Sequence, residues 1–256
     1  MRRFLPVLLP FAGAIGFAVF SDLSLLRSHE FILWSLATMV WILAAFALLA
    51  KGKLRGRLTA VAVPAVAMIA LSTVSSLLFL DLVAPRRGFI AFFAVILYLF
   101  LEHVRRESAG GAPAEERLSI SEFARMVNIG SLFLLASVGI GVTAFLPVEA
   151  WWTVPPLVAV AALWSWHLFL ACTERCVRPG ARVLLMTLIV LQTYLVALTL
   201  PTSMFVGGAL VGIVYYLAAN LLPIGATDAI PAKLVRKYVL YGGGLLALIL
   251  ATARWV

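Results

Sequence analysis

The sequence predicts an all-α fold, a polytopic bundle of about nine transmembrane helices with the N-terminus in the cytoplasm and the C-terminus outside. Three observations predict it. Of the 256 residues, 64% are apolar and only 12% are charged, about half the charged share of an average soluble chain. So few charges cannot clothe a globule in water, and most of the surface has to face lipid. The apolar residues fall in runs of about 20, the length that crosses a bilayer core of roughly 30 Å. Finally, the basic residues gather between those runs, mostly in every second connection and so on one side of the expected membrane.

The first run, Phe4 to Phe20, follows Met1-Arg2-Arg3 and so has the charge pattern of a signal peptide. Pro6 and Pro10 interrupt it, and Phe20-Ser21-Asp22 lacks the small-x-small cleavage signature. It is therefore expected to stay as a span kinked near Pro10; were it removed, eight spans would remain with the same orientation. Phe31 to Ala50 and Thr59 to Leu80 are the second and third spans, the latter carrying Ser72, Thr73, Ser75 and Ser76. The fourth, Phe89 to Leu101, is short.

Between the fourth and fifth spans lies the longest loop, Glu102 to Glu122, with a flexible Gly110-Gly111 centre. Ser119 and Glu122 have the spacing of a capping box that starts the next helix. That helix continues as the fifth span, Phe123 to Leu146, which contains Asn128. Val154 to Ala171 is the sixth. The seventh, Val183 to Leu200, carries Gln192, Thr193 and Tyr194; the eighth, Thr202 to Leu222, carries Tyr215, Tyr216 and Asn220. Gly208 and Gly212 form a Gly-x-x-x-Gly pair there, and Ala12 and Gly16 a small-x-x-x-small pair in the first span. Both permit close backbone approach, and ordinary packing within the chain is preferred to a dimer seam. The ninth run is Tyr238 to Ala253, its helix expected to begin earlier, with Asp228 as N-cap.

Orientation comes from the short loops, because Lys and Arg are retained on the cytoplasmic side. Sixteen of the 20 basic residues fall in one alternating set of connections; Arg27, Arg86, Arg87 and Arg254 make up the other. The net charge of +9 is thus a topology signal rather than a nucleic-acid footprint. It favours contact with anionic lipid headgroups on the cytoplasmic side. No nucleic acid is expected as a partner; a membrane protein partner or a homo-oligomer is. Residues 1–256 read as a single integral membrane domain with no soluble domain, in a bacterial-type cytoplasmic membrane.

The search for chemistry is mostly negative. Cys172 and Cys176 face a reducing compartment, which excludes a disulfide framework. His167 and Cys172 lie about 140° apart around a helix, which disfavours a shared metal. Three histidines (His29, His103, His167) are too few for the membrane oxygenases that build metal centres from many. The sequence contains no Walker loop, zinc-protease or serine-hydrolase motif, so no metal, cofactor or catalytic residue is assigned. Trp34, Trp41, Trp151, Trp152 and Trp255 read as anchors near span ends, whereas Trp164 and Trp166 flank His167 deeper in the sixth span.

One candidate ligand site remains. Glu102 and His103 end the fourth span, Asn128 lies early in the fifth, His167 and Glu174 bracket the cytoplasmic end of the sixth, and Asn220 closes the eighth. All six fall in the cytoplasmic leaflet, where one shared pocket would satisfy their polar atoms. The preferred alternative has Glu102, His103 and Glu174 reaching the aqueous interface to pair with Arg105, Arg106 or Arg175. A non-catalytic membrane subunit or scaffold ranks first as the function. A permease or channel for a small or lipidic solute ranks second, and a membrane-embedded lipid-processing enzyme third, so the reading leans away from enzymatic activity.

Overall fold

The computed structural model describes residues 5–26, 30–49, 83–108, 120–171, 179–224 and 232–253. Among these the regular structure is entirely helical: α1 (Leu5–Leu26), α2 (Phe31–Leu49), α3 (Val83–Ser108), α4 (Ile120–Phe145), a short 3-10 turn (Ala150–Trp152), α5 (Val154–Ala171), α6 (Pro179–Thr199), α7 (Met204–Ile224) and α8 (Ala232–Thr252). The windows Val83–Arg106, Met126–Phe145, Pro179–Thr199 and Met204–Leu222 are long and apolar enough to cross a membrane; Val7–Leu23 and Leu36–Leu49 are shorter apolar helices. Thr59 to Leu80, the expected third span, lies outside the described residues, as do Ser119 and Asp228, the two expected N-caps. The helices these caps were expected to start begin at Ile120 and Ala232.

Helix bounds depart from the apolar runs where charge was taken to end a span. α3 extends past Phe89 to Leu101 at both ends, enclosing Arg86 and Arg87 at its start and Glu102, Arg105 and Arg106 at its finish. Pro85 sits within its first turn, where the missing N–H has no helical acceptor in any case. α1 runs unbroken through Pro10 and past Phe20 to Leu26. Charged side chains at a helix end reach the interface along their own stems, so helix continuation does not require an apolar sequence.

The chain divides into two compact units, Met1–Asn128 and Ile129–Val256. In the first, α1, α2 and α3 pack on one another. Phe20 near the end of α1 stacks on Trp34 near the start of α2 at 6.0 Å, while Asp22 meets Arg86 at the start of α3. α1 is therefore antiparallel to both, and α2 and α3 run the same way. Buried positions recur at helical spacing, with Thr38, Ile42, Ala45, Phe46 and Leu49 on α2 and Ile90, Phe93, Leu97, Phe100, Leu101 and Val104 on α3. Phe46 and Phe100 meet ring to ring at 5.5 Å.

The small residues of α1 set how closely these helices approach. Trp41 lies mid-helix rather than at a span end, and its indole fills the groove left by Gly16; a Cβ there would overlap the ring. Its Nε1 donates to the Ala12 carbonyl at 3.1 Å. A Cβ on Gly13 would come within 2.5 Å of Leu101 Cδ1. The Ala12/Gly16 pair thus serves packing within the chain, and Trp41, expected as an interfacial anchor, is a packing residue instead.

In the second unit α5, α6, α7 and α8 each pack on the next, and α6 and α7, the expected seventh and eighth spans, form an antiparallel hairpin, with Gly207 against Ala197. Gly208 and Gly212 lie against α4, where a Cβ on Gly208 would collide with Ser137 Oγ and stand 2.7 Å from the Phe133 carbonyl. A Cβ on Gly212 would meet Phe133 Cβ at 3.2 Å. Tyr194 is fully buried, and its hydroxyl donates to Thr153 Oγ1 at 2.8 Å, which in turn donates to the Ala150 carbonyl at 2.8 Å. The ring tip occupies the space above Gly139, so one phenol joins α4, α6 and the turn that begins α5. Trp151 and Trp152 of that turn are 76% and 74% exposed.

Gly208→Ala is expected to lower the thermal unfolding midpoint of the detergent-solubilised protein, at a cost of about 1–3 kcal/mol for overpacking. Gly244→Ala, whose Cβ meets nothing within 4 Å, should leave the midpoint unchanged or raise it through better helix propensity. Equal midpoints for the two variants would contradict the α4–α7 contact.

Candidate functional site

Glu102 closes α3 through a compact ion-pair cluster. Arg105 Nε donates to its Oε2 at 2.7 Å and Arg105 NH2 to its Oε1 at 2.6 Å, a two-pronged contact matching guanidinium to carboxylate. Arg106 Nε adds a bond to Oε1 at 2.8 Å. The local sequence builds this by spacing alone, since an acid three and four residues ahead of two arginines shares their face of the helix. Two cations in the last turn also suit the negative end of the helix dipole. The Glu102 side chain is 14% exposed and that of Arg106 is 69% exposed, so the cluster opens outward on its arginine side. His103 beside it is half-buried and has a bonding partner.

The remaining members of the expected cytoplasmic-leaflet site lie elsewhere in the chain. Asn128 is the last residue of the first unit, 7% exposed, with Oδ1 shielded and lacking a hydrogen-bond partner. His167 belongs to α5, its side chain outside the described residues; Glu174, with Cys172 and Cys176, lies in 172–178, also outside them. Asn220 on α7 turns back on its own helix, Nδ2 donating to the Tyr216 carbonyl at 2.7 Å. Glu102 is thus brought together with Arg105 and Arg106, while Glu102, His103 and Asn128 belong to one unit and His167 and Asn220 to the other. Among the described residues no three His, Cys, Asp or Glu side chains gather as a metal would require.

Two polar features went unread in the sequence. The first is Asp22 with Arg86 and Arg87, where α1 ends and α3 begins. Arg86 NH2 lies 3.7 Å and Arg87 Nε 3.9 Å from Asp22 Oδ1. Arg86 falls between the expected spans Thr59 to Leu80 and Phe89 to Leu101; the helix instead starts at Val83 and carries the Arg86 side chain inward, leaving it 6% exposed. A usable signal existed, since Asp22 and Arg86 each flank an apolar run at the same expected face with opposite charge. The second is the pair Trp164 and Ser165 on α5, both fully buried, with Nε1 and Oγ lacking hydrogen-bond partners. Nothing in the sequence separates these two from ordinary packing residues.

Replacing Glu102 by Gln leaves Arg105 and Arg106 as adjacent unbalanced cations. The pair with Arg106 is largely solvent-screened, so the loss should be modest, about 0.5–1 kcal/mol, read as a lower thermal midpoint at low salt. Raising the ionic strength should narrow the gap between wild type and variant; a gap that does not respond to salt would show that Glu102 acts through packing rather than charge. No protein-family model matches the chain, nor does any curated protein or any solved structure.

Proposed function

We propose that this chain is a non-catalytic integral membrane subunit or scaffold, threaded as nine spans in one membrane domain, with the N-terminus in the cytoplasm and the C-terminus outside. The carrying observation is the use to which its polar side chains are put. Thr38, Ser137, Thr143, Thr187 and Thr193 each donate to a carbonyl one turn back in their own helix, Asn220 does likewise, and Glu102 is engaged by its neighbouring arginines. Among the described residues these groups, which a solute pathway would present to its cargo, are instead tied to the chain. That pattern favours a framework holding its own helices, with a membrane protein partner or a second copy as the object it organises.

The threading draws on charge and on helix direction. That α2 and α3 run parallel supports the reading of Thr59 to Leu80 as a span. Tyr194 near the end of α6 meets Thr153 at the start of α5, and Gly207 at the start of α7 lies against Ala197 near the end of α6, so these neighbours alternate in direction as sequential spans do. The cytoplasmic set of sixteen basic residues then offers anionic headgroups a broad electrostatic attraction. A permease for a small or lipidic solute is the second reading, favoured by the unbonded Trp164 Nε1 and Ser165 Oγ inside the second unit.

Single cysteines at Gly52, Gly110 and Ala232, in a chain with Cys172 and Cys176 replaced by Ser, should be modified only by reagents that enter the cytoplasm. Cysteines at Ser28, Gly88 and Ala150 should be modified from outside. External modification of the Gly110 position would overturn the threading. The scaffold role is tested separately: liposomes holding the purified chain should show no solute-dependent swelling above empty liposomes. Swelling that is lost on Ser165→Val would install the permease reading in its place.

A further inference from the structure

We propose that Asp22, Arg86 and Arg87 form a binding site for a phosphate group whose neighbouring atoms carry a hydrogen donor, as in a glycerol-type phospholipid headgroup or its soluble glycerol phosphate.

The site lies at the end of the first unit opposite Glu102, where α1 finishes and α3 begins. Its centre is a guanidinium removed from solvent, with the Arg86 side chain 6% exposed. Burying such a group is tolerable only when its five N–H donors find acceptors. Among the described residues Nε finds none. Asp22 Oδ1 is 3.7 Å from Arg86 NH2, close enough for charge attraction but too far for a hydrogen bond, and Arg86 Nε is shielded with no partner. Asp22 Oδ1 is likewise shielded and accepts no hydrogen bond, although Arg87 Nε also approaches it at 3.9 Å.

Arg86 and Asp22 therefore have unused bonding capacity, and with Arg87 the three charges sum to a positive site. A bound oxyanion neutralises it. Phosphate oxygens match the planar fork of Arg86 and reach the more exposed Arg87, whose side chain is 63% exposed. An oxyanion alone would leave Asp22 Oδ1 unbonded and repelled. A ligand with a hydroxyl or ammonium close to its phosphate supplies the missing donor, whereas a choline headgroup, with no N–H or O–H, supplies none. An ionisable cluster in the first turns of a membrane-spanning helix marks such a function, and the positive end of the α3 dipole adds to the attraction.

The test is thermal unfolding of the full chain in neutral detergent, titrated with dioctanoyl phosphatidylglycerol, dioctanoyl phosphatidylcholine or glycerol 3-phosphate. Phosphatidylglycerol should raise the midpoint saturably and phosphatidylcholine should not. Basic residues elsewhere respond to any anionic lipid, so the variants decide. Arg86→Lys keeps the charge but loses the fork, and Arg87→Gln alters a side chain exposed enough to leave folding intact. Each should raise the half-saturating concentration by about tenfold or more, the loss expected for one charge-assisted hydrogen bond. If glycerol 3-phosphate also saturates, the phosphate and its hydroxyl are the ligand; if only the lipid does, the headgroup in its bilayer setting is. The proposal is overturned if no titrant moves the wild-type midpoint, if phosphatidylcholine acts as well as phosphatidylglycerol, or if both variants respond as the wild type does.

Discussion

For this chain the medium outside the helices is as apolar as the medium between them, and its packing depends on that equality. α1 shows it within one helix: Leu8 and Phe11 are 63% and 57% exposed, while Phe17 on another face is 1% exposed. In water such exposure would drive association until it was covered. In lipid, covering it gains little, because hydrocarbon tails solvate Leu and Phe as well as other side chains do. Hydrophobicity therefore holds the helices in the membrane but does not choose their neighbours.

The choice falls to shape and to a few polar closures. Glycine at 13 and 16 on α1, at 139 on α4, and at 208 and 212 on α7 removes side-chain volume where a partner residue enters. Dispersion contacts made at that short range are what discriminate one helix face from another. The polar closures add direction. Trp41 reaches a main-chain carbonyl of α1, and Tyr194 reaches the hydroxyl that caps the turn into α5. Ser137 and the threonines at 38, 143, 187, 193 and 199 serve a different end, bonding the preceding turn of their own helix, which lets a hydroxyl sit in an apolar setting without a foreign partner. A count of hydroxyls in the spans thus overstates the bonds between helices.

Much of the helical framework was legible because length and hydropathy are local properties. Val154 to Ala171 coincides with α5, and the runs behind α2, α4 and α7 agree with the helices to within a few residues. Bounds failed where the criterion was apolarity and the physical requirement was backbone bonding, as at Arg86 and Glu102 on α3. Spacing also revealed Gly208 and Gly212 as a close-approach face, although only the fold identifies α4 as what approaches. The Glu102 cluster follows from i,i+3 and i,i+4 geometry and could be read directly; its alternative partner Arg175 is not among the described residues. Asp22 with Arg86 was legible only as opposite charges at one expected face. Their contact joins two distant helices, and no local rule predicts which ends of a bundle meet.

That distance along the chain bears on how the protein is made. Sixty-four positions separate Asp22 from Arg86, so at ordinary synthesis rates α1 leaves the ribosome on the order of several seconds before α3. A lone arginine entering hydrocarbon meets a penalty that reaches about 2.5–3.5 kcal/mol at mid-bilayer, and one held near the end of α3 meets part of it. If α1 still waits beside the insertion site, its carboxylate offsets that penalty as Arg86 enters. The order of the helices along the chain then becomes an order of assembly, with the acid delivered first and the base received by it. A chain rearranged so that α3 preceded α1 would have the same composition and the same contacts to form, yet its arginine would meet the lipid alone.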